Sequence, residues 1–298
     1  MNRNFLISII LAAIAIGCGA ASADENLLGY VKGAEVLPKG AVEFDQTVTY
    51  RYDKGRGDYG AWNTITEVEY GATNRFTASA AIKLQAIDTE GLIIDGYLPK
   101  AKDYGPQPSG MEFSTKYMFL SPAKDDVDLA LYTAFNYDWL DPHSGQKKDA
   151  FALENHLILQ KYFMEGQLVT MLNAGLETTF ADRHNIDNLP PGFDWPTKPE
   201  MEIEFTTGGG LSYRFMPNWS IGAETVYQTE FETEVGQERW SLFAGPALHY
   251  GSGRYWATLA WFPQVVGGGE KYDNQRDTHL HLIEKTKAEI RFKFGVEF

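Results

Sequence analysis

Residues Ala288 to Phe298 alternate without exception: even positions are apolar and odd positions are charged or Gly. A period of two belongs to a pleated strand with unlike faces. Eleven such residues match the roughly 9–11 that a tilted strand needs to cross the hydrocarbon of a bilayer. The pattern recurs to give twelve predicted strands, near 41–53, 60–71, 74–87, 110–120, 127–139, 150–162, 167–180, 200–215, 218–231, 239–250 and 254–262, with a last one whose pattern allows a start as early as Thr278. The fifth is the cleanest: Val127, Leu129, Leu131, Phe135, Tyr137 and Trp139 oppose Asp128, Asn136 and Asp138. Two depart from the rule. The sixth is blurred, with Asn155 on its apolar face and Ile158 on its polar one, and the eleventh is apolar on both faces.

The connections alternate too. After even-numbered strands they are tight, as at Ala72-Thr73, Met164-Glu165-Gly166, Met216-Pro217-Asn218 and Gly251-Ser252-Gly253; after the third, seventh and eleventh they are long, about 88–109, 181–199 and 263–277. This odd–even rule predicts an all-β, up-and-down antiparallel transmembrane barrel of about 12 strands over 41–298, with turns periplasmic and loops outside. Outward aromatics gather at strand ends, Trp62, Trp139 and Trp240 toward the loops and Tyr70, Phe119 and Trp219 toward the turns, as two interfacial belts would. Gly208-Gly209-Gly210 within a strand suggests a bend or a close approach, and Pro246, which cannot donate to the ladder, suggests a bulge.

The N-terminus changes the picture of destination. Arg3, the apolar run Phe5 to Ile16 and Ala21-Ser22-Ala23 form a secretory signal peptide over 1–23, leaving 24–40 as a periplasmic segment before the barrel. The sole cysteine, Cys18, falls inside the leader, so a mature chain cut after Ala23 has no thiol for a disulfide, a nucleophile or a zinc ligand. Lys and Arg total 26 against 40 Asp and Glu, a net charge of −14, which argues against nucleic acid as a partner.

Strand parity assigns the wet face. It places Glu67, Glu69, Lys83, Glu112, Lys116, Glu177, Glu202, Glu204, Arg214, Glu224, Arg291 and Lys293 on the lumen wall, with acids in excess. Carboxylate rings favour cations, so a porin-like channel for passive transport of small solutes, cations preferred, is the leading expectation. Inward Tyr132, Tyr162, Phe243, Trp256 and Phe262 would narrow it, and a paired charge network filling a plugged barrel stays open as an alternative. The loop at 88–109, with Leu92-Ile93-Ile94 and Tyr97-Leu98-Pro99, could gate the mouth or pack on itself; the one at 181–199 could bind a ligand or cap the rim. A lipid-modifying hydrolase is the minority reading: His156 and His249 face the lumen with Ser241 and Glu154 as conceivable partners, yet no hydrolase, phosphate-loop or zinc motif occurs. No catalytic residue, metal or cofactor is expected; His279, His281 and Asp277 form only a weak metal hint.

The Phe-terminated last strand resembles the C-terminal assembly signal of Gram-negative outer-membrane barrels, carried by Phe294, Val296 and Phe298, and so implies barrel-assembly machinery and periplasmic chaperones as partners during biogenesis, with outer-membrane lipid around the finished barrel. Asp24 to Glu35, Leu37-Pro38-Lys39-Gly40, Gly236-Gln237-Glu238-Arg239-Trp240 and the Phe298 ending together resemble a family of proteobacterial outer-membrane proteins with no established activity. That resemblance spans the mature chain and implies a barrel in the cell outer membrane, without functional residues to carry over. The Leu-Pro-Lys-Gly entry to the first strand is also similar to barrels assigned to hydrocarbon or phenol-pathway transport.

Overall fold

The computed structural model describes residues 26–94, 100–185, 199–232 and 236–298. The leader expected over 1–23, Tyr97-Leu98-Pro99 and most of the loop at 181–199 lie outside the described residues. Twelve strands follow one another: β1 (Val42–Tyr52), β2 (Arg56–Thr73), β3 (Phe76–Ile93), β4 (Lys102–Leu120), β5 (Asp128–Leu140), β6 (Lys147–Phe163), β7 (Leu168–Arg183), β8 (Glu200–Met216), β9 (Trp219–Glu232), β10 (Gly236–Ser252), β11 (Tyr255–Gly269) and β12 (Ala288–Glu297). Each pairs antiparallel with its chain neighbours, and β12 pairs with β1, so the sheet closes into a barrel without an edge. Among the described residues no helix is long and apolar enough to cross a membrane.

Closure rests on the alternation seen first. Across the β1–β12 seam, Phe44 meets Val296, Val48 meets Phe292 and Tyr50 meets Ile290 on the outer surface, while Glu43 meets Glu297 and Arg51 meets Glu289 within. Phe294 lies between Gln46 and Ala257, Val296 between Phe44 and Tyr255, and the Phe298 amide donates to the Val42 carbonyl at 2.8 Å. The outer surface exposes Phe113, Ile82, Leu172, Ile221 and Leu259, as a band facing lipid must. The polar residues on it satisfy one another: Thr66 donates to Gln46 at 2.8 Å and Thr133 to Asn155 at 2.9 Å.

At one end the strands join through tight turns. Pro217-Asn218 is a two-residue link in which Asn218 takes the left-handed conformation (φ 67°) that Asn tolerates. At the other end several strands overrun the span. β2, β3 and β4 are 18, 18 and 19 residues long, so the segment expected as a loop over 88–109 is largely a raised hairpin, with Asp88 paired to Asp103 and Thr89 to Lys102. Its Leu92 is buried with Ile87 of β3 and Tyr59 and Ala61 of β2, and Ile94 packs against Tyr272, Leu280 and Leu282 of the β11–β12 loop. The last strand begins at Ala288 rather than near Thr278; residues 270–287 form a loop instead. The irregularity expected at Pro246 is displaced. The bulge falls at Leu242/Phe243 and the β10–β11 ladder lapses until Ala247, whereas Pro246 keeps its place opposite Ala223 of β9.

Candidate functional site

Among the described residues before β1, 26–37 run through the lumen, whereas the periplasmic position expected for 24–40 puts them outside the barrel. The first anchor of this segment is Glu224 of β9. The amides of Gly29, Tyr30 and Val31 all donate to that one carboxylate, at 2.9, 2.8 and 2.9 Å. Three successive N–H groups wrapped round a buried carboxylate form an anion-binding concavity supplied by backbone alone. Further along, Lys32 exchanges two hydrogen bonds with the Asn173 side chain (2.7 and 2.9 Å), Ala34 donates to Gln160 at 3.0 Å, and Leu37 donates to Thr77 at 2.9 Å. Wall residues also reach for the strap's carbonyls: Thr258 to Asn26, Arg291 to Gly29 and Lys116 to Glu35. The segment has no regular secondary structure, so its backbone groups must find partners on the wall, and they do.

Apolar contact completes the fit. Leu28 and Val31 are buried with Val169, Met171, Val226, Phe243, Ala247, Ala260 and Phe262, and Ala34 with Ala130, Tyr132, Ala134 and Ile158. Burial of Leu28 and Val31 contributes about 1.5–3 kcal/mol each. The glycines of β8 and β9 make this possible. A Cβ on Gly210 or Gly222 would collide with the Leu28 methyls, and one on Gly208 would press on Val31 at 3.3 Å. Gly208-Gly209-Gly210 is therefore a close-approach device, its inward members clearing space for the strap.

The strap separates two chambers. The turn-end chamber, about 310 Å³, is lined by Leu27, Glu35, Tyr162, Arg214, His249 and Trp256. The loop-end chamber, about 420 Å³, is lined by Tyr30 and Lys32 of the strap, Arg51, Glu177, Glu204, Phe262 and Arg291 among others. Two inward-folded loops roof it. In the β5–β6 loop, Arg51 donates to the Pro142 carbonyl and Tyr59 to the His143 carbonyl. In the β11–β12 loop, Gln264 brackets the backbone of His281 and Thr286 with its side-chain amide, Lys285 reaches Glu204 and Gln228 at 3.3 Å, and Glu284 pairs with Arg239. Lys54, fully buried beneath this roof, lies 3.3 Å from His143 Nδ1. Burial, then the neighbouring Arg51 charge, lowers the Lys54 pKa well below its ordinary value, and burial followed by Lys54 and Arg51 does the same to His143.

The sequence-expected lining residues distribute over this frame. Glu224, Lys116, Arg291 and Lys293 hold the strap. Glu177 and Glu204 face the loop-end chamber, and Arg214 the turn-end one. Lys83 sits between Glu112 (3.9 Å), Asn136 (2.6 Å) and Asp138 (3.2 Å), and Glu112 also accepts from Tyr132 at 2.7 Å. Glu202 faces Lys148 at 3.7 Å. Glu67 accepts from Ser79 and lies with Asp45 and Glu69 in a group of carboxylates. A second group, Glu230, Glu238 and Glu284, surrounds the Arg239 guanidinium, which already supplies its cation. His156 Nε2 meets Glu154 at 2.5 Å and its ring lies flat on Gly175; His249 Nδ1 meets Thr258 at 2.8 Å. Ser241 is fully buried, and among the described residues its hydroxyl bonds neither histidine. Asp277 pairs with Lys287 at 2.9 Å.

Strap residues are the part that reasoning from alternation misses. Signals for them existed in the apolar inner face of β11, where Phe262 stacks on Tyr30 at 4.0 Å, and in the inward Ile158 that blurred β6.

A closed, edge-free antiparallel barrel with an apolar exterior and an internally strapped lumen defines an outer-membrane type of β-barrel protein. The chain belongs to the family of unknown function DUF6662, whose model matches residues 20–298. Among solved structures it is similar to the COG4313 outer membrane channel from Pseudomonas putida F1 (9% identity, TM-score 0.58, 89% of this chain and 98% of that one) and to the beta domain of the Bordetella autotransporter BrkA (10%, 0.53, 87% and 100%). At such identities these likenesses establish the fold alone. No curated protein matches the sequence.

Proposed function

We propose that the protein sits in the outer membrane as a passive, porin-like channel for small solutes, closed at rest by its own strap, with turns periplasmic and roofed loops outside. The observation that carries this reading is the pair of chambers, about 310 and 420 Å³, lying in line within the barrel and parted by non-barrel chain that Glu224 and other wall side chains hold. A plug of this kind is removable without unfolding the wall, since every barrel strand keeps both its neighbours when the strap leaves. The existence of an outer-membrane channel of the same fold adds support. The excess of wall carboxylates favours cations over anions, and the Phe298-terminated strand fits recognition by assembly machinery on the way to the membrane.

Planar-bilayer recording tests the reading. The wild-type barrel is expected to show small or infrequent openings and Glu224→Ala large, frequent ones. Silence from both proteins refutes a channel and favours the plugged barrel, the alternative supported by the strap's close fit. Reversal potentials in a salt gradient test selectivity: cation preference should fall when Glu202 and Glu204 become Gln.

A further inference from the structure

The loop-end chamber is not uniformly acidic; its charges are sorted to opposite walls. On β1 and β12, Arg51 and Arg291 face it, and among the described residues neither guanidinium forms an ion pair. Arg51 donates to the Asn63 amide oxygen at 2.9 Å and to the Pro142 carbonyl, Arg291 to the Thr49 hydroxyl at 3.0 Å and the Gly29 carbonyl at 3.1 Å. The one carboxylate on that side, Glu289, accepts from the Tyr30 hydroxyl at 2.8 Å. Cation charge is thus left over.

Across the lumen the sign reverses. β7 lies six strands from β1 in either direction round the closed ring. Glu154, Glu177 and Glu204 stand in direct cross-strand register on β6, β7 and β8. The outer two have a lysine each, Lys32 from the strap at 3.9 Å and Lys285 from the roof at 3.3 Å. Glu177, between them, accepts from Thr179 at 3.1 Å and, among the described residues, pairs with no basic side chain. Between the two charged walls lie three rings: Tyr30, which carries the Arg291 guanidinium 3.8 Å from its centre, stacks on Phe262 at 4.0 Å, and Phe262 on Phe243 at 5.6 Å, so the apolar side of the chamber is formed by Phe262 and Phe243 with the Tyr30 edge. The strap's own Lys32 shows how the acidic side takes an alkylammonium, its Nζ 3.9 Å from the Tyr132 ring centre.

We propose that this chamber binds a small zwitterion with an apolar or aromatic body, an α-amino acid by chemical class: carboxylate toward Arg51 and Arg291, ammonium toward Glu177, side chain along Phe262, Phe243 and the Tyr30 edge. Charges left uncompensated on opposed walls are neutralised together by one molecule that carries both signs, whereas a simple cation or anion answers only one wall. At about 420 Å³ the chamber is within the range of small-molecule sites. The proposal names a solute class for the channel reading, but its test does not depend on conduction.

Isothermal titration of the full-length barrel in detergent, with L-phenylalanine, phenethylamine and 3-phenylpropionate, separates the alternatives. Phenylalanine should bind about tenfold or more tighter than either half-charged analogue. Glu177→Gln should weaken phenylalanine and phenethylamine by about tenfold and leave phenylpropionate unchanged. Arg291 also holds the strap, so Arg51→Gln serves as the reciprocal variant, weakening phenylalanine and phenylpropionate only. Equal affinity for phenethylamine and phenylalanine would reduce the chamber to a cation site and overturn the proposal, as would no binding of any of the three. Phenylalanine binding by a barrel that never conducts would sustain the site while removing the channel.

Discussion

The strap crosses the middle of the lumen and the roof covers its loop end, and they are fastened by different chemistry. The strap is held chiefly through its own backbone amides, gripped by wall side chains such as Glu224, Asn173, Gln160 and Thr77. The roof adds to its neutral bonds from Gln264 and Tyr59 a set of ion pairs and a buried cation layer: Glu284 on Arg239, Lys285 on Glu204, and Lys54 under His143. Amide donors do not titrate, so the strap's side of each bond is fixed over any ordinary pH. Imidazoles do, so the roof carries its own sensitivity to acid. Two obstructions fastened this way should respond to different conditions.

The largest expected effect breaks the strap alone. Glu224→Ala leaves three buried amides without acceptors and should destabilise the seated strap by about 3–5 kcal/mol. Amide hydrogen exchange at Gly29, Tyr30 and Val31 should then speed up by at least about a hundredfold, while the Gly55 amide, bonded to Leu282 in the roof, keeps its rate. Parallel acceleration at Gly55 would show that the closures are one unit. Next comes steric eviction. Gly210→Val drives a branched side chain into Leu28 and should cost the strap about 1–3 kcal/mol. Gly209→Ala, whose Cβ would meet only Leu172 at 3.4 Å on the outer surface, should leave protease access to the strap unchanged.

Acid should act on the roof through its histidines. Burial, then Lys54 and Arg51, holds His143 well below the ordinary histidine value, and burial pushes His281 down to about 3. An undocked loop takes up protons that the docked loop refuses. Docking is therefore complete above about pH 6.5 and weakens as pH falls, by up to about 1.4 kcal/mol per pH unit for each histidine. The opening equilibrium read from exchange at Gly55 and Gly267, whose amides bond Leu282 and His279, should rise between pH 7.5 and 5 once rates are divided by the intrinsic exchange rate at each pH, and His143→Gln should blunt the rise. An acid response of equal size at Gly29 to Val31 would erase the contrast. The smallest effect is Lys285→Gln, which loses one partly buried pair with Glu204 and should loosen the roof by about 0.5–1 kcal/mol, less in high salt.

The wall was legible because its rule is local. A pleat turns side chains over every residue, so alternation in β5 or β12 reports inside and outside directly, and Glu177, Glu204 and Arg291 reached the lumen by parity alone. Strand ends were less legible. β2, β3 and β4 run on beyond the length expected of a membrane-crossing strand, where Tyr59, Ile87 and Leu92 bury one another, a packing choice the period-two rule does not contain. The strap leaves no periodic mark in the sequence. Its nearest traces were misfits on the wall, the glycines of β8 and the two-sided apolar β11.

Sequence alone determined the strand number and the up-and-down antiparallel order, since each follows from a two-residue period and the length of the connections. Only the tertiary structure decided that the lumen is occupied and how its charges are sorted. Gly29 and Glu224 are 195 residues apart in the chain, and Arg51 and Glu177 belong to strands on opposite sides of the ring. Such pairs leave no mark on local periodicity. They come into being when the barrel closes round its own N-terminal segment.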